Sequence, residues 1–148
     1  MKISTKVECG IIALIDIAIN SHEGSVVKIN AISKRRNISA KYLEQIFPLL
    51  KQSSIIRSVK GASGGYILAR SSSEITLNEI VNALDNSILA SSDFSSKLES
   101  DVITAIDECL WGPVTEYLCS FSEKLTLKTL ADRYCELKNE SLEPMYYI

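Results

Sequence analysis

The stretch from residue 37 to residue 66 constrains the fold of this chain more than any other. Ser39 precedes a series of apolar residues at helical spacing: Leu43, Ile46, Phe47 and Leu50. Because serine is a strong N-cap, this pattern predicts a helix that begins just after Ser39. Two β-prone runs follow at 55–59 and 65–69, and the loop between them reads Lys-Gly-Ala-Ser-Gly. A capped helix followed closely by a glycine-rich, basic hairpin predicts a winged helix-turn-helix.

More helices are predicted ahead of this unit. Apolar residues recur with a helical period over residues 4–18, and Ser4 or Thr5 can act as the N-cap. Residues 27–29 predict a short strand, because Val27 and Ile29 alternate with a lysine. Asn30 is predicted to cap a helix over residues 31–36, and Asn37 is predicted to end it.

The C-terminal half is also predicted to be helical. Thr76 and Glu79 have capping-box spacing and predict the start of a helix. From residue 98 to residue 122 an apolar stripe follows a helical period, with an irregularity expected at Gly112-Pro113. Too little chain remains to cover this stripe, which therefore predicts a dimer interface. The residues expected in that interface are Val102, Ile106, Leu110, Trp111, Val114 and Leu118.

The fold class is therefore mainly α with a small β-hairpin wing. A winged helix-turn-helix domain is expected at 1–84, a flexible serine-rich loop at 85–97, dimerisation helices at 98–140 and a tail at 141–148. No apolar run is long enough to span a bilayer, and the N-terminus lacks the apolar core of a signal peptide. We expect a cytoplasmic protein with no membrane partner.

Charge is distributed unevenly between the two halves of the chain. Residues 1–70 contain eleven Lys or Arg against four Asp or Glu, whereas residues 71–148 contain five against fourteen. A basic half joined to an acidic half fits the binding of a polyanion by the first half, since phosphate neutralisation dominates affinity for nucleic acid. An accidental asymmetry of a solvated surface is the alternative.

The predicted recognition helix carries side chains that can read DNA. The residues in its first two turns are Ser39, Lys41, Tyr42, Glu44 and Gln45. Glutamine can pair with adenine, glutamate can accept from cytosine, and lysine can donate to guanine. Serine and tyrosine are expected to hold phosphates. The alternative is that Glu44 and Gln45 are ordinary solvent-facing helix residues.

The hairpin loop and two basic segments complete the expected DNA-binding set. Gly61 and Gly64 allow the backbone and Lys60 to approach a phosphate or the minor groove closely. A nucleotide-binding loop is not favoured here, because a strand rather than a helix follows the glycines. The remaining predicted contacts are Lys2, Ser4, Thr5, Lys34 and Arg35.

Signatures of catalysis and of metal binding are missing from the sequence. No Gly-x-Ser-x-Gly or His-Glu-x-x-His pattern occurs, and the single histidine, His22, lies in a polar turn. The cysteines form no Cys-x-x-Cys pair and are interpreted as reduced thiols; they are Cys9, Cys109, Cys119 and Cys135. A redox or metal role for them is the alternative. We therefore predict no enzymatic activity, no metal and no cofactor.

At these residues the chain resembles the Rrf-two family of bacterial winged-helix transcription regulators. The resemblance covers nearly the whole chain, and the segments that carry it are 1–6, 38–39, 42–45, 59–66, 75–76, 79–80, 110–111, 125–127 and Leu130. It implies a homodimer joined through the long helix and a palindromic operator in double-stranded DNA. Many members have Gly-Arg-Tyr where this chain has Val7-Glu8-Cys9. Cys9 is interpreted as a small core residue, with a thiol switch as the alternative.

The family contains two well-known branches. Iron–sulfur members use three closely spaced cysteines after the fourth helix, and residues 84–108 contain no cysteine here. The chain looks like the cysteine-metabolism repressor branch instead, which implies a repressor of sulfur or cysteine metabolism genes that works with cysteine synthase, O-acetylserine (thiol)-lyase. That enzyme family accepts a C-terminal isoleucine carboxylate, so the expected partner-binding tail is Tyr146, Tyr147 and Ile148. Packing or disorder of the tail is the alternative.

Two other functions stay open at the level of sequence. One is an iron–sulfur or redox-responsive regulator of the same family. The other is a protein-interaction adaptor that uses the winged helix as a docking surface. Salt separates the adaptor from a DNA-binding protein, because only binding to DNA weakens steeply as salt is added.

Overall fold

The computed structural model of the chain describes residues 3–89 and 100–142. Within these ranges the chain forms seven α-helices, one π-helical turn and a two-stranded sheet. In chain order the elements are α1 (Thr5–Asn20), α2 (Ile29–Arg36), α3 (Ala40–Gln52), β1 (Ile56–Val59), β2 (Gly65–Leu68), α4 (Leu77–Leu84), α5 (Asp101–Ile106), the π turn (Asp107–Trp111), α6 (Gly112–Lys124) and α7 (Leu127–Leu142). The mainly α fold with a hairpin wing is therefore confirmed.

Three capping residues define the helix-turn-helix. The Ser4 hydroxyl accepts a hydrogen bond from the Val7 N–H and begins α1. Asn37 adopts the left-handed conformation, with φ of 54°, and ends α2. The Ser39 hydroxyl accepts from the Tyr42 N–H and begins α3. The three predicted helix ends are confirmed, with Ser4 rather than Thr5 as the cap of α1, and Asn37 and Ser39 fix the turn between α2 and α3.

The predicted cap at Asn30 is wrong. Lys28 occupies the N-cap position of α2, and its carbonyl oxygen accepts from the N–H groups of Ala31 and Ile32. The helix therefore begins at Ile29, one residue before Asn30. The predicted strand at 27–29 shrinks to one antiparallel bridge between Val27 and Tyr66, because the chain enters α2 directly afterwards.

The wing is a two-stranded antiparallel hairpin that is held to α3. Ile56 lies opposite Leu68, and Val59 lies opposite Gly65. The ring of Tyr66 packs edge-on against the ring of Phe47, with 4.7 Å between the centroids. Because Phe47 belongs to α3, this aromatic pair fixes the wing relative to the recognition helix.

The hydrophobic core lies between α1, α3, α4 and the start of the wing. Its fully buried members include Leu14, Ile17, Leu43, Phe47, Ile55, Ile80 and Leu127. Leu127 belongs to α7, so the first turn of the C-terminal helix closes the core of the N-terminal domain. The C-terminal helix is thus part of the same packed unit as the winged helix.

The predicted capping box of α4 is confirmed. The Thr76 hydroxyl accepts from the Glu79 N–H at 3.2 Å, and the Glu79 carboxylate accepts from the Thr76 N–H at 2.9 Å. After α4, Ile88 and Leu89 pack against the core. Residues 90–97 of the loop predicted to be flexible lie outside the described residues.

A helical arm extends from Asp101 to Lys124, with α5, the π turn and α6 joined end to end. Within the π turn the Gly112 N–H donates to the carbonyl oxygen of Asp107, five residues earlier. Pro113 has no N–H and cannot make the ordinary helical bond, so the helix widens just before it. The irregularity expected at Gly112-Pro113 therefore takes the form of a wide turn.

The last described element, α7, extends to Leu142. Lys2 and the predicted tail residues Tyr146, Tyr147 and Ile148 lie outside the described residues. Over the two described ranges, the chain contains no helix that is both long and apolar enough to cross a membrane.

Candidate nucleic-acid interface

The recognition helix α3 presents a polar face to solvent. Lys41, Glu44 and Gln45 are exposed, while the apolar positions on the opposite side are buried: Leu43, Ile46, Phe47 and Leu50. Burial of that opposite side fixes the rotation of the helix, and so fixes which side chains point outward. The outward set has a cation, a carboxylate and an amide within two turns, which is a chemistry suited to base edges in a major groove.

Ser39 and Tyr42 stand at the start of the same helix in different environments. The Ser39 side chain is exposed but already accepts the capping bond from Tyr42 N–H at 3.4 Å. Its hydroxyl proton remains available to donate to a phosphate oxygen. Tyr42 is half-buried and packs against the core, so its ring is held in place while part of it reaches solvent.

The two wing glycines predicted to approach DNA have different structural roles. Gly61 has a positive φ of 111° and nothing within 4 Å of where a Cβ would stand, so the loop is open to solvent at this point. At Gly64 a Cβ would overlap the carbonyl oxygen of Val59, and the Gly64 N–H donates to the carbonyl oxygen of Gly61. Gly64 is therefore required by the turn itself, whereas Gly61 leaves Lys60 and the loop tip accessible.

Lys28 braces the wing and was not predicted as a functional residue. Its ammonium group donates to the carbonyl oxygen of Ala62 at 3.4 Å, which joins the start of α2 to the wing loop. A shallow cavity of about 350 Å³ lies beside it, lined by Asn20, Val26, Val27, Lys28, Ala31 and Arg35. The side chains that line the cavity include two cations, Lys28 and Arg35, and no carboxylate.

A buried carboxylate binds both arginines at the end of α2. Arg35 donates from Nη2 to Asp16 Oδ1 at 2.6 Å and from Nε to Oδ2 at 3.1 Å. Arg36 donates from Nε to Asp16 Oδ2 at 2.7 Å. The Asp16 side chain is fully buried, whereas Arg35 is 41% exposed and Arg36 is 17% exposed. One carboxylate therefore neutralises part of the charge of the basic run Lys34-Arg35-Arg36, which includes the predicted DNA contacts Lys34 and Arg35.

The arginines hold Asp16 in its charged form. Burial alone would raise the pKa of this carboxyl group, but hydrogen bonds and charge from Arg35 and Arg36 outweigh burial and lower it. The hydrogen bond to Asp16 raises the pKa of Arg35, and hydrogen bonds to Tyr134 and Asp16 raise the pKa of Arg36 against the effect of burial. The three groups are therefore all ionised near neutral pH and carry a net charge of about +1.

Arg36 also reaches the C-terminal helix. Its Nη1 donates to the Tyr134 hydroxyl at 2.9 Å, and its guanidinium carbon lies 4.8 Å from the centroid of the Tyr134 ring. We call Asp16, Asn20, Arg35, Arg36 and Tyr134 the Asp16 cluster, since Asn20 also donates to the Asp16 carboxylate at 3.3 Å. The cluster connects α1, α2 and α7.

The remaining predicted DNA contacts within the described residues are Ser4, Thr5 and Lys34. Lys34 and Thr5 are exposed, and Ser4 is half-buried, with its hydroxyl accepting the capping bond from the Val7 N–H. Sequence reasoning missed Asp16 and Tyr134. Asp16 carried one signal: it is the sole Asp, Glu, Lys or Arg between Glu8 and Glu23. A lone charge in an apolar helix requires a partner when it is buried.

The predicted dimerisation residues form an apolar surface on the helical arm. The exposed ones are Val102, Ile106, Leu110, Trp111 and Val114, and Tyr117 and Phe121 extend the surface. Leu118 is half-buried and lines an apolar cavity of about 330 Å³ between the arm, α1 and α4. Large apolar side chains that share one exposed helix surface are typical of a protein–protein interface.

The thiols do not converge on a site. Cys9 is half-buried against the core, and both burial and the charge of Glu8 raise the pKa of its thiol, which disfavours the reactive thiolate. Cys109 and Cys135 are exposed and Cys119 is half-buried, each on a different element. In the part of the chain that the structure describes, no three His, Cys, Asp or Glu residues lie close enough together to hold a metal.

Three comparisons place the chain among known proteins. The family model described as Rrf2, iron-dependent transcriptional regulator, matches residues 3–135. The HTH-type transcriptional regulator IscR of Klebsiella pneumoniae (strain 342) is 32% identical over 132 residues, which is 89% of this chain and 80% of that protein.

Solved structures agree with this result. CymR (YrzC), the global cysteine regulator of B. subtilis, superposes with a TM-score of 0.76 at 28% identity, over 90% of this chain and 98% of that chain. The IscR of T. potens superposes with a TM-score of 0.71 at 30% identity, over 99% of this chain and 97% of that chain. The match over residues 3–135, together with the fold, shows that the chain belongs to the Rrf2 family of transcriptional regulators.

Proposed function

We propose that this protein is a sequence-specific DNA-binding repressor that acts as a homodimer on a palindromic operator. The observation that carries the proposal is the exposed polar face of α3, with Lys41, Glu44 and Gln45, beside the open wing loop at Lys60 and Gly61. A helix in the major groove and a cationic loop on the flanking backbone are complementary parts of one interface. A two-fold dimer would present two such units to two half-sites.

The apolar surface of the helical arm supports the dimer. Trp111 is 53% exposed and Val102 is 68% exposed in the single chain, which is unfavourable for residues of this size unless a partner covers them. A second copy offers an identical apolar surface, and two-fold interfaces are self-complementary. Repression would then follow if the dimer occupies an operator that overlaps a promoter.

Binding of labelled duplexes at several salt concentrations tests the DNA-binding function against the rival adaptor function. DNA binding is expected to weaken steeply with added salt and to differ between the operator and a scrambled duplex. Weak, sequence-independent affinity that hardly responds to salt would favour a docking surface for another protein instead.

We assign the regulated genes to sulfur or cysteine metabolism. The support is the resemblance to the cysteine-metabolism branch together with the structural similarity to the cysteine regulator of B. subtilis. Genome-wide selection of bound DNA fragments tests the assignment. The Gln45→Ala variant is the control, because it lacks one of the side chains proposed to contact the bases. Enrichment of fragments upstream of sulfur-metabolism genes is expected. Enrichment confined to genes of iron–sulfur cluster assembly would contradict the assignment.

The donor set of this chain does not fit the iron–sulfur cluster of the family's iron-dependent members. Residues 84–108 contain no cysteine, and the four cysteines stand on different elements. A cluster needs several thiolates that converge on the same irons. Anaerobically purified protein is therefore expected to be colourless and free of iron. A visible absorption band with stoichiometric iron and sulfide would refute this part of the proposal.

The C-terminal tail is our proposed contact with cysteine synthase. The support is the resemblance to the branch that works with this enzyme, together with the sequence Tyr146-Tyr147-Ile148, since a C-terminal isoleucine carboxylate suits capture in an enzyme pocket. Deleting Tyr147 and Ile148 is expected to abolish binding to the enzyme and to leave operator affinity unchanged. One glycine added after Ile148 should have the same effect, because it displaces the carboxylate and keeps every side chain. Met145→Leu is the matched control, and enzyme binding that survives the deletion would exclude the tail as the anchor.

A further inference from the structure

We propose that Asp16 and Tyr134 are positioning residues for DNA binding, which act through Arg36 on Arg35, so that the position of α7 controls how firmly the helix-turn-helix holds the DNA backbone. The proposal rests on the proposed DNA-binding function and names a way to regulate it. The Asp16 cluster carries it.

Arg36 is the link between α7 and the helix-turn-helix. It lies at the last position of α2, directly before the turn that leads to the recognition helix. Its guanidinium contacts Tyr134 through both a hydrogen bond of 2.9 Å and the face of the ring. Most of the side chain is buried, at 17% exposure, so these contacts are little weakened by solvent. A displacement of Tyr134 therefore displaces Arg36.

Arg35 shares its carboxylate with Arg36. Both arginines donate to Asp16 Oδ2, at 3.1 Å and 2.7 Å. Because the carboxylate is fully buried and receives both guanidinium groups, a shift of one arginine changes the geometry available to the other. Arg35 donates to Asp16 from Nε and Nη2, so its Nη1 is directed away from the Asp16 carboxylate. The Arg35 side chain is 41% exposed. A guanidinium held in this way can donate to a phosphate without first losing its conformational freedom.

Tyr134 is the last residue of α7 that packs against the rest of the protein, and residues 135–142 follow it. Leu127 and Ala131 are buried, Tyr134 is half-buried, and residues 135–142 are all exposed. The exposed half of the helix leads toward the C-terminus, so a partner that binds there acts on the helix just beyond its last packed residue. The link from Tyr134 through Arg36 to Arg35 gives that partner a physical route to the DNA-binding surface.

Anisotropy titrations of the full chain with an operator duplex test the proposal, over a series of salt concentrations. Tyr134→Ala is expected to weaken binding about tenfold and to reduce the slope of log K against log salt by about 0.9, since one ordered phosphate contact is lost. Tyr134→Phe keeps the ring and loses the hydroxyl, so a loss of about threefold is expected. Cys135→Ser, an exposed neighbour on the same helix, should match the wild type.

The double variant Arg35→Met with Tyr134→Ala tests whether Tyr134 acts through Arg35. Binding by the double variant should equal binding by Arg35→Met alone. Losses that multiply in the double variant, or a loss of affinity with an unchanged salt slope, would overturn the proposal, because a fold that is merely weakened does not change the number of phosphates contacted. Tyr134→Phe provides the same test if Tyr134→Ala does not fold.

Failure of the proposed function is recognised separately. Wild-type protein that binds no duplex in a salt-dependent manner would overturn the DNA-binding function and this proposal with it. Salt-dependent wild-type binding that both Tyr134 variants leave intact would overturn only the positioning role.

Discussion

The substitution Asp16→Asn removes the charge at the centre of the Asp16 cluster and keeps the shape of the side chain. The carboxylate is fully buried and accepts hydrogen bonds from Arg35, Arg36 and Asn20. An asparagine at this position would present an amide N–H₂ to one of the guanidinium groups, and two cations would remain next to each other without a counter-charge. We expect the folded state to be destabilised while the backbone is retained.

The size of the effect follows from the burial of each partner. Removing one member of a buried ion pair costs about 3–5 kcal/mol. The lower end applies here, because Arg35 at 41% exposure can turn toward water and Arg36 at 17% exposure can do so in part. A loss of about 3 kcal/mol corresponds to a fall in Tm of about 6–12 °C for a chain of this length.

Thermal unfolding followed by circular dichroism measures this change. Both proteins must be compared at equal protomer concentration, because subunit association raises the apparent stability. The matched control is Asp132→Asn. Asp132 forms an ion pair with Lys128, and both side chains are 56% exposed. Because exposed ion pairs contribute little to stability, the Tm of this variant should change by no more than about 2 °C. An Asp16→Asn variant within about 2 °C of the wild type would refute our description of the cluster.

Acid provides an independent arm of the same test. The pKa of Asp16 is lower in the folded state than in the unfolded chain, so between the two values the unfolded state binds more protons. The stabilisation from Asp16 is therefore complete above the ordinary carboxyl pKa of about 3.9 and is lost as the pH falls through the lower, folded value. The difference in stability between wild type and Asp16→Asn should narrow over that range. A difference that stays constant down to strong acid would contradict the assigned charge.

Three further variants test other parts of the interface. Gln45→Ala should cost about 1–3 kcal/mol of operator affinity and relax the preference at one base pair, as measured by competition with single-base variants of the operator, with the distal Gln52→Ala as control. Gly64→Ala should disorder the wing loop, because the added Cβ would overlap the Val59 carbonyl oxygen. Amide hydrogen exchange in β1 and β2 should become faster and operator affinity should fall. Unchanged exchange would contradict the role given to this glycine. Trp111→Ser should shift the protein from dimer to monomer in sedimentation experiments, and an unaltered dimer would place the interface elsewhere.

The helix ends that could be predicted from the sequence are those fixed by interactions between residues a few positions apart. The caps at Ser39 and Thr76 depend on backbone N–H groups three residues later, and Asn37 ends α2 through its own left-handed conformation. The exposed face of α3 followed from apolar spacing alone. The prediction of Asn30 as a cap was wrong because α2 begins at Ile29, directly after the bridge that pairs Val27 with Tyr66. Tyr66 is distant in sequence, so the local pattern did not reveal this start.

The Asp16 cluster could not be predicted in the same way. Asp16 lies 19 and 20 residues before its two arginines, and Arg36 lies 98 residues before Tyr134. No local pattern joins these positions; they meet because α1, α2 and α7 pack together. The sequence showed a run of three cations, and the structure shows that one carboxylate holds two of them.

The salt dependence of operator binding tests the central claim most directly. Affinity for a duplex obtained by genomic selection should be measured between about 50 and 200 mM salt for the wild type and for Lys60→Ala. We expect a linear fall of log K with log salt, a slope smaller by about 0.9 in Lys60→Ala, and much weaker binding to a scrambled duplex. Affinity that is independent of salt, and equal for operator and scrambled duplex, would contradict it.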